Sequence, residues 1–184
     1  MTPGDVPEWI LQQLAERTQQ RPRDRLVRLA VRLRASDACE YCLLPTFNRF
    51  QIDHIVPPTR WIEYISGRIQ GVAPTPGRRG ANHLDNYAWC CPFCNAAKSR
   101  QVSRRVGRHS YRLFDPRHDR WTDHFGFIHQ YLFIVGLSAI GNATIEALQM
   151  NDGRLDGPLG SRHEAIVRGQ YPPSWARPSL TEPG

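Results

Sequence analysis

Lysine is almost missing from this sequence: of its 24 basic side chains only Lys98 is not an arginine. That imbalance reflects a compositional bias toward arginine as well as function. Long apolar runs are missing too. The longest, Tyr131-Leu132-Phe133-Ile134-Val135, falls far short of the ~20 residues a membrane-spanning helix needs, so no membrane contact is expected. The first ten residues, MTPGDVPEWI, carry no basic leader and no apolar run with a small-residue cleavage site. A secretory signal is therefore not expected, and the compartment is read as cytoplasmic and reducing. No segment repeats internally.

What is present suits one domain with appended elements. Over 184 residues, a 40% hydrophobic and 10% aromatic content supplies a core and excludes wholesale disorder. The net charge of +7, with a pI near 9.6, favours a polyanionic partner, because neutralising phosphates releases condensed counterions. The distribution is sharper than the total. Between residues 98 and 120, eight basic side chains (Lys98, Arg100, Arg104, Arg105, Arg108, Arg112, Arg117, Arg120) meet only Asp115 and Asp119. The excess sits directly after the last cysteine.

Apolar spacing predicts a helix from Val6 to Thr18 through Val6, Trp9, Ile10, Leu14 and Ala15. A second, from Asp24, turns Leu26, Val27, Leu29, Ala30 and Leu33 inward and Arg25, Arg28, Arg32 and Arg34 to other faces. Cys39 to Phe50 reads as turns. Phe50 to Val56 alternates like a short strand and stops at Pro57-Pro58. Residues 67–82, with Gly67, Gly71, Pro74, Pro76, Gly77 and Gly80, form a long loop or insertion. Asp85 to Arg105 is expected to be a loop and then a helix, Trp121 to Leu137 a hairpin, Ala143 to Met150 a helix, and His163 to Arg168 a short last helix. The tail, with Pro172, Pro173, Pro178 and Pro183, is expected to be irregular.

Four of the five cysteines stand in two CxxC pairs, Cys39-x₂-Cys42 and Cys91-x₂-Cys94. Each short turn presents two thiolates, and two such turns complete a tetrahedral Zn²⁺ site. Disulfides are disfavoured in a reducing compartment. An iron–sulfur cluster also uses four cysteines, but nothing else here points to redox work. Cys90 lacks the spacing to Cys94 and reads as a small buried hydrophobe. The wide separation of the pairs leaves room for a substantial element between them.

Between the pairs lies Asp53-His54-Ile55-Val56-Pro57, followed by Leu84-Asp85-Asn86, Cys91-x₂-Cys94-Asn95 and Lys98. The order CxxC, DHIxP, a glycine-containing loop, LxN, CxxCN and xxK resembles the HNH endonuclease family, in its cysteine-bearing branch. That resemblance implies an α+β fold with a ββα-metal core, braced by zinc at Cys39, Cys42, Cys91 and Cys94. N-terminal helices (1–36) would precede this core (37–106), and a C-terminal hairpin-and-helix extension (107–170) and tail (171–184) would follow. Leu113-Phe114-Asp115-Pro116-Arg117 with Arg120-Trp121-x₂-His124-Phe125, and Val135-Gly136-Leu137 leading to Gly141-x-Ala143-Thr144, are similar to the extension of bacterial members. One departure is a longer stretch between His54 and Asn86 without a Gly-Gly pair.

The resemblance implies His54 as general base, Asp53 and Asn95 as ligands of a catalytic Mg²⁺ or Mn²⁺, and Asn86 as the residue orienting the loop and His54. A neutral imidazole titrating near working pH suits proton abstraction, and oxygen donors suit hard cations. Lys98, Arg100, Arg104 and Arg105 are candidate phosphate contacts, the charge being local and adjacent to the site; the alternative for the arginines is to solvate an amphipathic helix. Taken singly, Asp53-His54 is an ordinary surface dipeptide, and Asn86 or Asn95 an ordinary helix cap. His83, His109, His118, His129 and His163 read as structural or surface residues, and His124 matches a histidine of the extension without a role. The function expected is a metal-dependent DNA endonuclease (RNA not excluded); the alternatives are a non-catalytic zinc-knuckle nucleic-acid-binding module, or a nuclease subunit awaiting a partner protein such as an ATPase or targeting subunit.

Overall fold

A computed structural model describes residues 5–177 apart from Thr18, Asn48 and Leu155. The fold is mixed α+β, with three separate two-stranded antiparallel sheets among the described residues. Two helices come first, α1 (Glu8–Ala15) and α2 (Arg25–Arg34). In α1 only Ile10 and Leu14, one turn apart, are buried, and Trp9 stays exposed. The start of α2 is set by Asp24, whose Oδ1 accepts from the Leu26 and Val27 amides at 2.8 and 3.4 Å. Its buried stripe is Val27, Ala30 and Val31, while Leu29, expected inside, is exposed. Arg34 continues that stripe and is drawn in: it donates to the carbonyls of Leu84 (3.0 Å) and Tyr87 (2.8 Å). Buried carbonyls outside a ladder need such donors.

β1 (Gln51–His54) is the expected strand. A 3₁₀ turn at Pro58–Arg60 and a short α3 (Trp61–Ile65) follow, then loop to residue 83. β2 (Tyr87–Cys90) pairs with β1 from Gln51↔Cys90 to His54↔Tyr87, and α4 (Pro92–Lys98) begins two residues later. β2 corrects the expected loop over this stretch. All four of its residues are buried, so it lacks the alternation by which a half-exposed strand is recognised.

The basic run forms no amphipathic helix. Ser99, at φ 48°, ends α4, and β3 (Ser103–Val106) then pairs with β4 (His109–Arg112). The expected core boundary at residue 106 falls inside this hairpin. α5 (Trp121–His124) leads into the expected aromatic hairpin, β5 (Phe125–Ile128) and β6 (Phe133–Gly136). α6 (Ala139–Leu148) and α7 (Pro158–Val167) both start earlier than their apolar spacing suggested, because Ser138 caps the first through the Gly141 amide (3.0 Å) and Pro158 opens the second. The tail carries a 3₁₀ turn at Ser174–Ala176; Pro178 and Pro183 lie outside the described residues.

One hydrophobic cluster runs from Ile10 and Leu14 through both cysteine pairs to Leu148, Tyr171 and Ala176. A smaller one, Val56, Tyr64, Ile69 and Val102, ties the insertion to the turn after α4. Because α6 packs on α4, β3, β4 and β6, the extension and the cysteine-bearing unit share a core. No helix among the described residues is long and apolar enough to cross a membrane.

Gly141, in the first turn of α6, has the His124 carbonyl oxygen 2.0 Å from where a Cβ would stand. Glycine-to-alanine changes inside helices ordinarily stabilise by about 1 kcal/mol. Gly141→Ala should instead destabilise by about 1–3 kcal/mol in denaturant unfolding, as overpacked sites do. Gly153→Ala, with open space around it, should change little.

Candidate metal centre and hairpin–helix site

The two cysteine pairs are brought together by different local devices. Around Cys39 the chain doubles back: the Cys39 amide donates to Leu44 O (2.8 Å), and the Leu43 amide to Cys39 O (2.9 Å), with Leu43 at φ 62°. Cys91 is the N-cap of α4, its Sγ accepting from the Cys94 amide at 3.4 Å. The sulfurs of Cys39, Cys42, Cys91 and Cys94 are fully buried and lie within 4.8 Å of one another. Among the described residues no other group of three or more His, Cys, Asp or Glu side chains converges in this way.

The geometry fits one metal ion such as zinc. Four sulfurs about 2.3 Å from a tetrahedral centre stand about 3.8 Å apart, and the Cys42 and Cys91 sulfurs are separated by 3.7 Å. This spacing is much longer than a disulfide, and all five cysteines are free. Without a cation the thiols resist ionising together. Burial pushes Cys90 and Cys91 up, and neighbouring thiols with burial push Cys94 up. At Cys39 burial opposes ionisation as well, yet four neighbouring S–H groups hold it well below its usual value. A dication would relieve that conflict. Cys90 is buried beside Cys39 but stands outside the group of four.

The hairpin β1–β2 and α4 carry the other candidate residues. Strand alternation sends Gln51 and Asp53 to one face of β1 and His54 to the other. Asp53, 5% exposed, receives the Tyr41 hydroxyl at 2.7 Å and the Lys98 ammonium at 2.9 and 3.2 Å. Lys98, 1% exposed, also donates to His54 O at 2.8 Å. It therefore reaches inward, and the expected phosphate contact at Lys98 gives way to a buried ion pair. Asn95 faces Gln51, its Nδ2 donating to Gln51 Oε1 at 2.8 Å. Asp53 and Asn95 thus each have a protein partner.

His54 stands at the end of β1. Its ring packs edge-on against Tyr87, centroids 5.0 Å apart, and its Nε2 lies 3.0 Å from Asn82 Oδ1. A carbonyl oxygen can only accept, which places the proton on Nε2 in this arrangement, and Nδ1 makes no hydrogen bond among the described residues. Burial holds the His54 pKa below the usual histidine value, against the opposing help of Asn82 and Asp53, so the ring is neutral at pH 7. The unfolded chain takes up this proton at higher pH, so acidification through the unfolded pKa toward the folded one removes stability.

Asn86 is buried and spends its whole amide on position. Oδ1 accepts from the Val56 amide (2.9 Å) and Arg78 Nη1 (2.7 Å), while Nδ2 donates to Val56 O (2.8 Å) and Ala81 O (2.9 Å). The Asn86 carbonyl accepts from the Ile55 amide at 2.9 Å. Chain on both sides of the insertion is so clamped beside His54. Arg78 in turn pairs with Asp115, joining the extension to that clamp. His83 Nδ1 caps the turn containing Asn86 by accepting from the Asp85 amide at 3.3 Å. His124 bonds Ser138 Oγ at 2.6 Å and packs on Phe114, a structural position.

The basic run divides by partner. Lys98 is used by Asp53, Arg117 by Glu40, and Arg112 by Asp119 at 2.5 and 2.7 Å. Arg104 faces α6, 3.8 Å from Glu146. Arg100, Arg104 and Arg105 are exposed. Tyr41, Asn82, Gln51 and Arg78 carry the site's hydrogen bonds and were not singled out from sequence; Tyr41 was marked only by lying inside the first CxxC.

No protein-family model, curated protein or solved structure matches this chain.

Purified protein should carry close to one zinc ion per chain by native mass spectrometry. Cys94→Ala should lose it, while Cys90→Ala should retain it. Full metal loss in Cys90→Ala would move the fifth cysteine into the ligand set.

Proposed function

We propose that the chain is an HNH-type endonuclease hydrolysing phosphodiester bonds in DNA, with β1, β2 and α4 as a ββα-metal unit. The observation that carries this reading is His54: a neutral, partly buried imidazole with its proton turned to Asn82 and no hydrogen bond at Nδ1 among the described residues. Such a group takes a proton from water attacking phosphorus. The supporting arrangement is the set around it. Lys98 holds the His54 carbonyl, Asn86 holds the Val56 peptide two residues on, and Asn95 lies on the helix facing β1. Zinc at the four thiolates is proposed as a brace, since a closed four-sulfur shell keeps no open position for chemistry.

A Mg²⁺ or Mn²⁺ ion, when bound, would stabilise charge on the phosphate and on the departing 3′-oxygen. Asp53 and Asn95 have oxygen donors of the right type, but their present arrangement does not fit the ion. Lys98 and Tyr41 close off Asp53, and an ammonium 2.9 Å from its oxygen opposes a second cation. The same observation favours a second reading, a zinc-knuckle module that binds nucleic acid without cutting it. A nuclease subunit whose Asp53 is freed only by a partner protein or by the substrate is the third.

Incubation of supercoiled plasmid with Mg²⁺, Mn²⁺ or EDTA separates them. The nuclease reading expects metal-dependent nicking that drops by at least ~100-fold in His54→Ala, within the range general-base loss commonly costs, with zinc content and circular dichroism unchanged. Cleavage retained by His54→Ala sinks it, and binding without nicking in any metal favours the module.

A further inference from the structure

Next to the proposed site lies an open cleft of about 500 Å³, lined by Thr59, Arg60, Glu63, Ser99, Arg100, Gln101 and Ser103. No apolar side chain lines it. One wall is the 3₁₀ turn and α3 that follow β1, and the other is the turn between α4 and β3. These walls are held at a set distance. Val56, Tyr64 and Ile69 pack on Val102 in the smaller hydrophobic cluster. At Gly71 the backbone comes so near β4 that a Cβ would stand 2.2 Å from Ser110 O, and Ser110 Oγ donates to Gln70 O at 3.3 Å. The insertion is thus a fitted element docked on the hairpin β3–β4.

Chemically the cleft is cationic and rich in donors. The Arg100 guanidinium and the hydroxyls of Thr59, Ser99 and Ser103 make no hydrogen bond or ion pair within the described chain. Arg60 is held by Glu63 at 3.0 Å, with both side chains partly exposed, and Glu63 is the only acid lining the cleft. On β3, alternation puts Arg105 on the same face as Ser103 and sends Arg104 toward α6. Arg105 Nε donates to Gly107 O at 3.2 Å, so of the basic run Arg100 alone lines the cleft. Exposed guanidiniums beside free hydroxyls suit phosphodiester oxygens, which only accept.

We propose that this cleft seats the phosphate backbone of a DNA strand, with Arg100 and Arg60 as its cationic contacts, and that the insertion (67–82) holds the wall formed by the 3₁₀ turn and α3 against the hairpin β3–β4. The proposal rests on the nuclease reading for its choice of DNA. It is tested by binding alone, in a zinc-loaded His54→Ala background without added Mg²⁺ or Mn²⁺, using fluorescently labelled duplex DNA at several salt concentrations. Arg100→Ala combined with Arg60→Ala should weaken binding at least roughly tenfold at low salt. It should also reduce the salt slope by about two phosphate contacts, near 0.9 each. Glu63→Gln, which removes the cleft's one negative charge, should tighten binding roughly two- to threefold, an outcome that damage to the fold does not produce. Arg168→Ala, at an exposed arginine that caps the C-terminus of α7, should change the slope no more than any remote charge.

Parental binding with unchanged affinity and slope in the Arg60/Arg100 variant, or a loss no greater than in Arg168→Ala, overturns the cleft. So does an absence of DNA binding by the parent chain. If the variants shift binding as expected but no form of the protein cuts DNA, the cleft stands and the nuclease reading falls.

Discussion

Four sulfur atoms from pairs nearly fifty residues apart must meet at one point, and most of the molecule is arranged so that they can. Cys42 and Cys91 stand 3.7 Å apart across 49 positions, so everything between them is closed into a loop whose ends are fixed. That loop contains β1, the insertion and β2. The first pair is also gripped from outside. Trp121 Nε1 donates to Tyr41 O at 2.9 Å, and the Tyr171 hydroxyl to Cys42 O at 3.0 Å. Glu40 accepts from the Trp89 amide at 2.7 Å and pairs with Arg117. Both residues between Cys39 and Cys42 thus act as connectors, Glu40 to β2 and Tyr41 to Asp53.

Charge is spent in the same spirit. The half-buried Arg112 pairs with Asp119, and Lys98, Arg78 and Arg117 are buried partners of Asp53, Asp115 and Glu40. Buried pairs of this kind are weak sources of net stability, because desolvation offsets their attraction, but removing one partner strands a charge at a cost of about 3–5 kcal/mol. They therefore fix arrangement: Lys98 sets the carbonyl of His54, and Asp115, through Arg78, sets Asn86. The extension reaches the candidate site by this route, without placing a side chain in it.

Sequence made the cysteine set legible because ligand spacing is a local pattern with one economical outcome. It also made β1, the aromatic hairpin and the helices after it legible, since alternation and helical spacing survive in partly exposed elements. It hid β2, whose four residues are all buried, and the hairpin β3–β4, where arginines stand on exposed positions that strand patterning normally leaves polar. The roles of Lys98 and Arg34 were hidden for another reason. A long cationic side chain reaches solvent or a buried acceptor equally well, and only tertiary packing decides between them. Asn82 went unmarked because its contact to His54 crosses 28 positions.

If the metal centre is the constraint on which the hairpin–helix site depends, its removal should loosen that site before the rest of the fold. The direct measurement is hydrogen exchange by mass spectrometry on metal-loaded and chelator-stripped protein, with zinc loss confirmed in the same samples. Amides of Gln51–His54, Tyr87–Cys90 and Pro92–Lys98 should exchange at least roughly tenfold faster once the ion is gone. Unchanged protection across those three segments in metal-free protein would contradict the account.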